Sequence, residues 1–502
     1  MSSPLASGRS ATEEQAEVEA PGRLHLSVRA LTLSSALFAT GAVAGKVIGF
    51  IMLPILARSL SPEGLGRLDV LLTIGNGMTT GLLLGLDVAA LRLFFDQPDA
   101  ISTRRLLASW YGMALVISLS AAAVLIGGSE WITRGLFGSL ELQPAVAAVG
   151  LAVVAGTAQL VVLLTLRAMG RAGWYVLLSV GTLLIYAVLA VLLLHVWRAD
   201  EDAVVGAWAV ALLVSAVCGT LLLRGQIVGR PSRPAMKSLL RLGLPLAPAV
   251  LLTLLSEFLV RILLLGAAGP DGVAYFAVGN RFASVATLSL VAFELAWIPR
   301  AYALGTRPDA RDRISTEATW IIAIVSAAAL TIAIGSRTVV PLLVGTPYLT
   351  SLPALGWGLV GVVALALFVV ASIPNVVAKR TGRVAVATGT TAVLSVIGTA
   401  VFAGPWGAEG AAAAVALGQI VALSIVIALS RGLPIRFAWG QLLAVGTITS
   451  VASLILVSDA PLPVLVLAAI VASLAIASAL PVRMATRSVA EAIAGARGGR
   501  HA

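Results

Sequence analysis

The chain has 502 residues, of which 59% are apolar and 11% charged, with 34 Lys+Arg against 23 Asp+Glu. A soluble domain carries about a quarter charged residues, so a water-exposed surface built from this composition would be mostly apolar and would aggregate. Large soluble domains are therefore excluded, the mean hydropathy of +1.01 makes lipid the solvent, and the net charge of +11 marks cytoplasmic loops, with no nucleic-acid partner expected.

Residues 1–29 are polar and carry Glu13, Glu14, Glu17 and Glu19 without a basic segment leading into a short apolar core, so they read as a disordered cytoplasmic tail. Apolar segments then follow at approximately 31–57, 69–94, 107–127, 145–166, 174–197, 204–223, 243–266, 273–298, 317–336, 352–373, 384–404, 410–430, 437–457 and 461–481. No alternation of the kind a membrane barrel shows is present, so these are read as fourteen transmembrane helices of an all-α polytopic protein. The lone Cys218 lies inside the sixth segment, which leaves no disulfide within the chain.

With the amino terminus inside, only Arg58, Arg67, Arg134, Arg198 and Arg337 fall in outer loops, while Arg230, Arg233, Lys237 and Arg241 join a cytoplasmic linker. A span wrongly added early would reverse every later loop and destroy this bias, so the asymmetry tests the segmentation as well as the orientation. Both termini are expected to be cytoplasmic.

An internal repeat organises the segments. Pro62-Glu63-Gly64 aligns with Pro270-Asp271-Gly272 at an offset of 208, which also pairs Arg92 with Arg300. Arg167, Gly170 and Arg171 align with Lys379, Gly382 and Arg383 at 212, and Val205-Gly206-Ala207 with Glu409-Gly410-Ala411 at 204. The expected division is an amino-terminal six-helix lobe over 30–225, a linker over 226–242, a parallel-repeat six-helix lobe over 243–431, an extra helix pair over 432–481 and a cytoplasmic tail over 482–502. An even number of spans gives both lobes one orientation, with their pseudo-twofold axis along the membrane normal and the substrate path between them.

A charged residue at a span centre costs about 2.5–3.5 kcal/mol on insertion scales, so those present should face a partner or water. They cluster on the repeat-related spans one, two, seven and eight: Lys46, Asp87, Glu257 and Arg261, then Arg281 and Glu294. Glu257 and Arg261 stand four residues apart on one face, either as a self-neutralising pair or with Arg261 facing an anion and Glu257 as its resting partner. Lys46 and Arg281 have no acid within one turn; they contact a ligand, or they pair with Asp87 or Glu294. Those two acids lie toward cytoplasmic span ends, as a proton or sodium site or as hydrated helix ends. Asn76, Asn280 and Gln419 are cavity polar groups or, more readily, interhelical hydrogen-bonding groups. Three separated cations suit a phosphate or diphosphate, and no resident cofactor is expected.

The run Gly49-Phe50-Ile51-Met52-Leu53-Pro54-Ile55-Leu56-Ala57-Arg58, followed by Leu60-Ser61-Pro62-Glu63-Gly64-Leu65-Gly66, resembles the first-helix signature of polysaccharide transporters. These Wzx-type lipid-linked oligosaccharide flippases belong to the multidrug/oligosaccharidyl-lipid/polysaccharide exporter superfamily. The resemblance continues through Leu244-Pro245-Leu246-Ala247-Pro248, Gly272-Val273-Ala274-Tyr275-Phe276-Ala277-Val278, Ala296-Trp297-Ile298-Pro299 and Gly407-Ala408-Glu409-Gly410-Ala411-Ala412, covering nearly the whole chain in order. It implies a bacterial plasma-membrane flippase that moves a polyprenyl-diphosphate-linked glycan to the outer leaflet by alternating access, for cell-surface polysaccharide export. Lys46, Arg261 and Arg281 would receive the diphosphate and first sugars, and the lipid tail would lie in a groove facing the bilayer. Partners implied are that lipid-linked glycan, membrane lipid and polysaccharide assembly proteins, with H+ or Na+ coupling through Asp87, Glu257 or Glu294 left open.

Three alternatives remain. The lipid II flippase branch usually carries an Arg-Asp pair where this chain has Met52 and Leu53, and multidrug/cation antiporters commonly have twelve spans and an acid in the first helix, which span one lacks. A polytopic glycan polymerase or ligase needs an acid/base or nucleophilic constellation near the outer surface. The outer loop over 128–144 offers only Glu130, Arg134 and Glu141, and His25, His195 and His501 all lie away from span centres.

Overall fold

The computed structural model describes residues 47–197, 200–304, 311–433, 435 and 437–479, and among them the backbone is helical, without strands. The first half runs through α1 (Val47–Ser59), α2 (Pro62–Gly81), α3 (Leu86–Phe95), α4 (Ala100–Gly127), α5 (Ser129–Phe137), α6 (Gln143–Ala168), α7 (Ala172–Val196) and α8 (Glu201–Leu222). A short α9 (Arg224–Ile227) and α10 (Arg233–Gly243) lead into α11 (Ala247–Leu304), α12 (Arg311–Val344), α13 (Leu352–Val377), α14 (Thr381–Leu429), α15 (Trp439–Val457) and α16 (Leu462–Ala479).

Ten stretches are long and apolar enough to cross a membrane, but Val250–Val291 and Thr381–Leu429, of 42 and 49 residues, are too long for one crossing. At 1.5 Å per residue they would reach about 60 and 70 Å, against about 30 Å of hydrocarbon. Each is broken by a glycine in a conformation that side chains resist, Gly269 at φ 70° and ψ −178° and Gly407 at φ 53° and ψ −130°. The chain folds back at both. The Arg261 guanidinium lies 5.7 Å from the Phe276 ring centre, where one straight helix would separate those residues by about 22 Å. In α14 a Cβ added to Gly398 would sit 2.8 Å from the Ala414 Cβ, and one on Gly410 would sit 2.1 Å from the Phe402 oxygen. With both hairpins counted as two crossings and the shorter helices Val47–Ser59 and Leu462–Ser478 added, the described residues hold the fourteen crossings expected.

Two helices were not expected. The loop over 128–144 contains α5, and the linker contains α10, whose Arg233, Lys237 and Arg241 are exposed while Leu239 is buried against the first half. The second span also begins at Pro62 and not near residue 69. Ser61 caps it, its hydroxyl accepting the Gly64 N–H at 3.1 Å, and Pro62 occupies the first turn, where a missing N–H costs nothing. Asp99 caps α4 in the same way, and the hydrogen bond from the Ser102 N–H holds its carboxyl below the usual carboxylate range.

The turns after every odd-numbered crossing converge at one end of the bundle. Arg58 Nε donates to the Leu343 oxygen at 2.8 Å, Arg67 reaches Glu141 at 3.9 Å and Glu201 at 3.4 Å, and Arg337 pairs with Asp459 at 2.6 Å. The expected topology would make this the outer end. Here the repeat-related turns also meet: a Cβ on Gly66 would lie 1.8 Å from the Pro270 oxygen and 3.2 Å from the nitrogen of Ala274, which is 208 residues on. The other seam between the halves is marked by Phe50 of α1 against Phe282 of α11, edge to face at 5.3 Å.

Candidate functional site

The starting point of α2 decides what Asp69 does. Because the helix begins at Pro62, Asp69 sits two turns inside it, and its side chain is only 8% exposed. The two arms of α11 bring a cation each to this carboxylate. Arg261 Nε, on the first arm, donates to Oδ2 at 2.8 Å, and the Arg281 guanidinium, on the second, stands 3.6 Å from Oδ1. Arg261 also donates to the Glu257 backbone oxygen at 3.1 Å and faces the Phe276 ring. One carboxylate from the first half thus holds two guanidiniums from the second, and the trio keeps one unit of positive charge.

This arrangement corrects the local reading of Glu257 and Arg261. The four-residue spacing allows their side chains to meet, but Arg261 turns to Asp69, a better hydrogen-bonded partner in a buried seam, and touches Glu257 only through its backbone. Arg281 likewise meets Asp69. Glu294 is half-buried far along the second arm of α11, and Asp87 is half-buried on the first turn of α3, beyond a break where Leu84 and Gly85 are both left-handed, at φ 49° and 75°. Lys46 lies outside the described residues. Asp69 escaped the sequence reading because hydropathy placed it at the edge of its span; the Ser61-Pro62 cap signature would have moved that edge outward.

Two adjoining polar cavities lie among the helices of the second half. One of about 470 Å³ is lined by Glu257, Arg261, Phe276, Asn280, Thr391 and Gln419. A second of about 200 Å³ shares Phe276, Asn280 and Gln419 with it and extends to Trp357. Asn280 and Gln419 are therefore cavity groups, whereas Asn76 donates to the Leu72 oxygen of its own helix at 2.9 Å. Among the described residues the Glu257 carboxylate has no cationic partner, although it faces this polar space. Trp357 also borders a basin of about 810 Å³ at the Arg337–Asp459 end of the bundle and donates to Glu409 at 3.4 Å. Between α2 and the first arm of α11 runs an apolar recess of about 240 Å³, lined by Ile74, Gly77, Gly81, Leu251, Leu255 and Phe258. It begins within about a turn of Asp69 and Arg261. Chemically, the seam offers paired guanidiniums for an anion with an apolar trough beside them.

Residues 32–303, more than half of the chain, match the family model described as "Polysaccharide biosynthesis protein". No curated protein matches the chain. Among solved structures it is similar to the lipid II flippase MurJ in an inward closed conformation, at TM-score 0.68 and 12% identity over 88% of this chain and 98% of that one. It is also similar to a multidrug resistance MATE family transporter of the MOP superfamily in an inward-facing conformation, at 0.61 and 16% over 78% and 94%. A MOP superfamily transporter from Pyrococcus furiosus, whose binding pocket is described as reversed in polarity, gives 0.54 and 16% over 79% and 94%. At these identities the likeness shows the fold alone, that of a multi-pass helical transporter.

Proposed function

We propose, on the premise that the chain belongs to the polysaccharide biosynthesis protein family, that it is a flippase carrying a polyprenyl-diphosphate-linked oligosaccharide from the cytoplasmic to the outer leaflet by alternating access. The observation that carries this reading is the pair of guanidiniums, Arg261 and Arg281, drawn together at the seam between the halves. Arginine presents fixed paired donors to phosphoryl oxygens, and a diphosphate offers two such groups. The apolar recess along α2 and α11 gives the isoprenoid chain a path beside them. Moving a charged, sugar-bearing head across lipid demands a partly wet route, which the cavities of the second half supply. The lipid II flippase and the transporters that share the fold move cargo and break no bond in it, and the same is inferred for this chain. The plasma membrane of a bacterium, with both termini cytoplasmic and polysaccharide assembly proteins as neighbours, is the setting this implies.

Depleting the protein in its host should remove surface polysaccharide while the lipid-linked oligosaccharide accumulates in the cytoplasmic leaflet, measured by enzymatic digestion of sealed membranes of known sidedness before the lipid is extracted. Loss of polymer with the oligosaccharide accumulating outside would instead mark a polymerase or ligase.

A coupling role for H+ or Na+ falls to Glu257 in this scheme, as an intramembrane carboxylate facing Thr391, Asn280 and Gln419 without a cationic partner among the described residues. Glu257→Gln is expected to flatten the dependence of export on external pH or sodium while Arg261 still reaches Asp69. An unchanged dependence would remove Glu257 from the coupling path.

A further inference from the structure

We infer that Asp69 is a resident counter-anion that sets cargo selectivity: a diphosphate displaces it from Arg261 and Arg281, and a single phosphodiester does not. The inference rests on the flippase reading. Two arginines beside an apolar recess within a bilayer face a standing problem, because the surrounding membrane is full of anionic phosphodiester lipids at high local concentration. An empty two-arginine seat would fill with them. Specificity is a difference of affinities and is often achieved by an element that works against the wrong ligand.

The geometry supplies such an element. Asp69 is 8% exposed and tethered on α2, so its carboxylate competes for both guanidiniums at a high effective concentration. The trio retains one positive charge, and Arg281, at 3.6 Å and 31% exposed, is the looser member. A phosphodiester with one negative charge balances that residual charge at Arg281 and leaves the shorter Arg261–Asp69 contact intact. Either ligand strands the buried carboxylate when it takes both arginines, but a phosphodiester replaces one charge by one and gains nothing that offsets this cost. A lipid-linked diphosphate carries two negative charges on adjacent phosphoryl groups and satisfies both guanidiniums at once. The carboxylate it releases belongs to the opposite half of the protein, so displacement also removes the ionic tie between the halves near their outer ends.

The test measures lipid binding to the purified full chain in phosphatidylcholine nanodiscs, with undecaprenyl diphosphate as the probe and phosphatidylglycerol as competitor, by native mass spectrometry. The wild type should prefer the diphosphate, and Asp69→Asn, which keeps the shape and drops the charge, should lower that preference by about tenfold or more, mainly through tighter phosphatidylglycerol binding. Asp69→Glu should restore most of it. A purely structural role would lower the melting temperature of the Asn variant without changing the ratio of the two affinities, which is read on folded protein only. A preference equal to wild type in Asp69→Asn overturns the inference and leaves the flippase reading standing. Failure of the wild type to bind undecaprenyl diphosphate overturns both.

Discussion

Replacing Arg261 by Ala is expected to abolish surface polysaccharide while leaving the amount of protein in the membrane near normal. The side chain is 15% exposed and makes the shorter of the two cationic contacts to Asp69, the 2.8 Å bond. Removing one member of a buried ion pair leaves the other uncompensated at a cost of about 3–5 kcal/mol, which Arg281 at 3.6 Å offsets only in part. Each 1.4 kcal/mol left after that offset moves a two-state equilibrium about tenfold, so the closed arrangement of the halves would be depopulated. The same substitution removes one of two donors for the diphosphate and the cation that faces Phe276. Arg261→Lys separates these losses: it keeps the charge but not the planar fork, and should retain a small part of the flux. The measurement is surface glycan by antibody against membrane level by immunoblot. Normal glycan with Arg261→Ala would sink the two-arginine site.

Gly66→Val should be comparably damaging by a steric route. Its Cβ would stand 1.8 Å from the Pro270 oxygen and 2.6 Å from the Pro270 carbon, both backbone atoms that cannot rotate aside. The start of α2 and the Pro270 turn of α11 would have to separate, and overpacking of this kind costs about 1–3 kcal/mol, with larger values where the obstacle is main chain. Both a lower melting temperature in detergent and loss of export are expected. Gly173→Ala, on α7 with nothing within 4 Å of its Cβ, is the matched change that should leave both unaltered. A Gly66→Val protein that melts and exports like the wild type would mean that the two turns do not touch in the membrane.

Much of the architecture was legible because lipid-facing helices announce themselves as long apolar runs, and because glycines such as Gly269 and Gly407 sit where two runs join. The amphipathic α5 and α10 were not, since short helices with one polar face leave no apolar run long enough to register. The repeat offset of 208, drawn from weak matches, reappears as the close approach of Gly66 to Ala274. Arg261 and Arg281 could be named from sequence as charges stranded in apolar spans. Their partner could not, because Asp69 lies 192 residues before Arg261 and local spacing says only which side chains can meet along one helix. Glu257 was the near neighbour on that criterion, and tertiary packing chose the distant one. Nor did hydropathy reveal the polar cavity beside Arg261; the small polar residues Thr391, Ser395 and Gln419 are diluted by apolar neighbours in their own segments.

The approach of Gly66 to Pro270 bears on how reproducible the ionic trio can be. Side chains pressed together behave as springs, yielding by tenths of an ångström as rotamers shift, whereas main chain against main chain behaves as a mechanical stop. A stop three residues from Asp69 fixes where its carboxylate arrives whenever the halves close, so the 2.8 Å bond to Arg261 is set by the backbones of two turns and requires no search by the long arginine side chain.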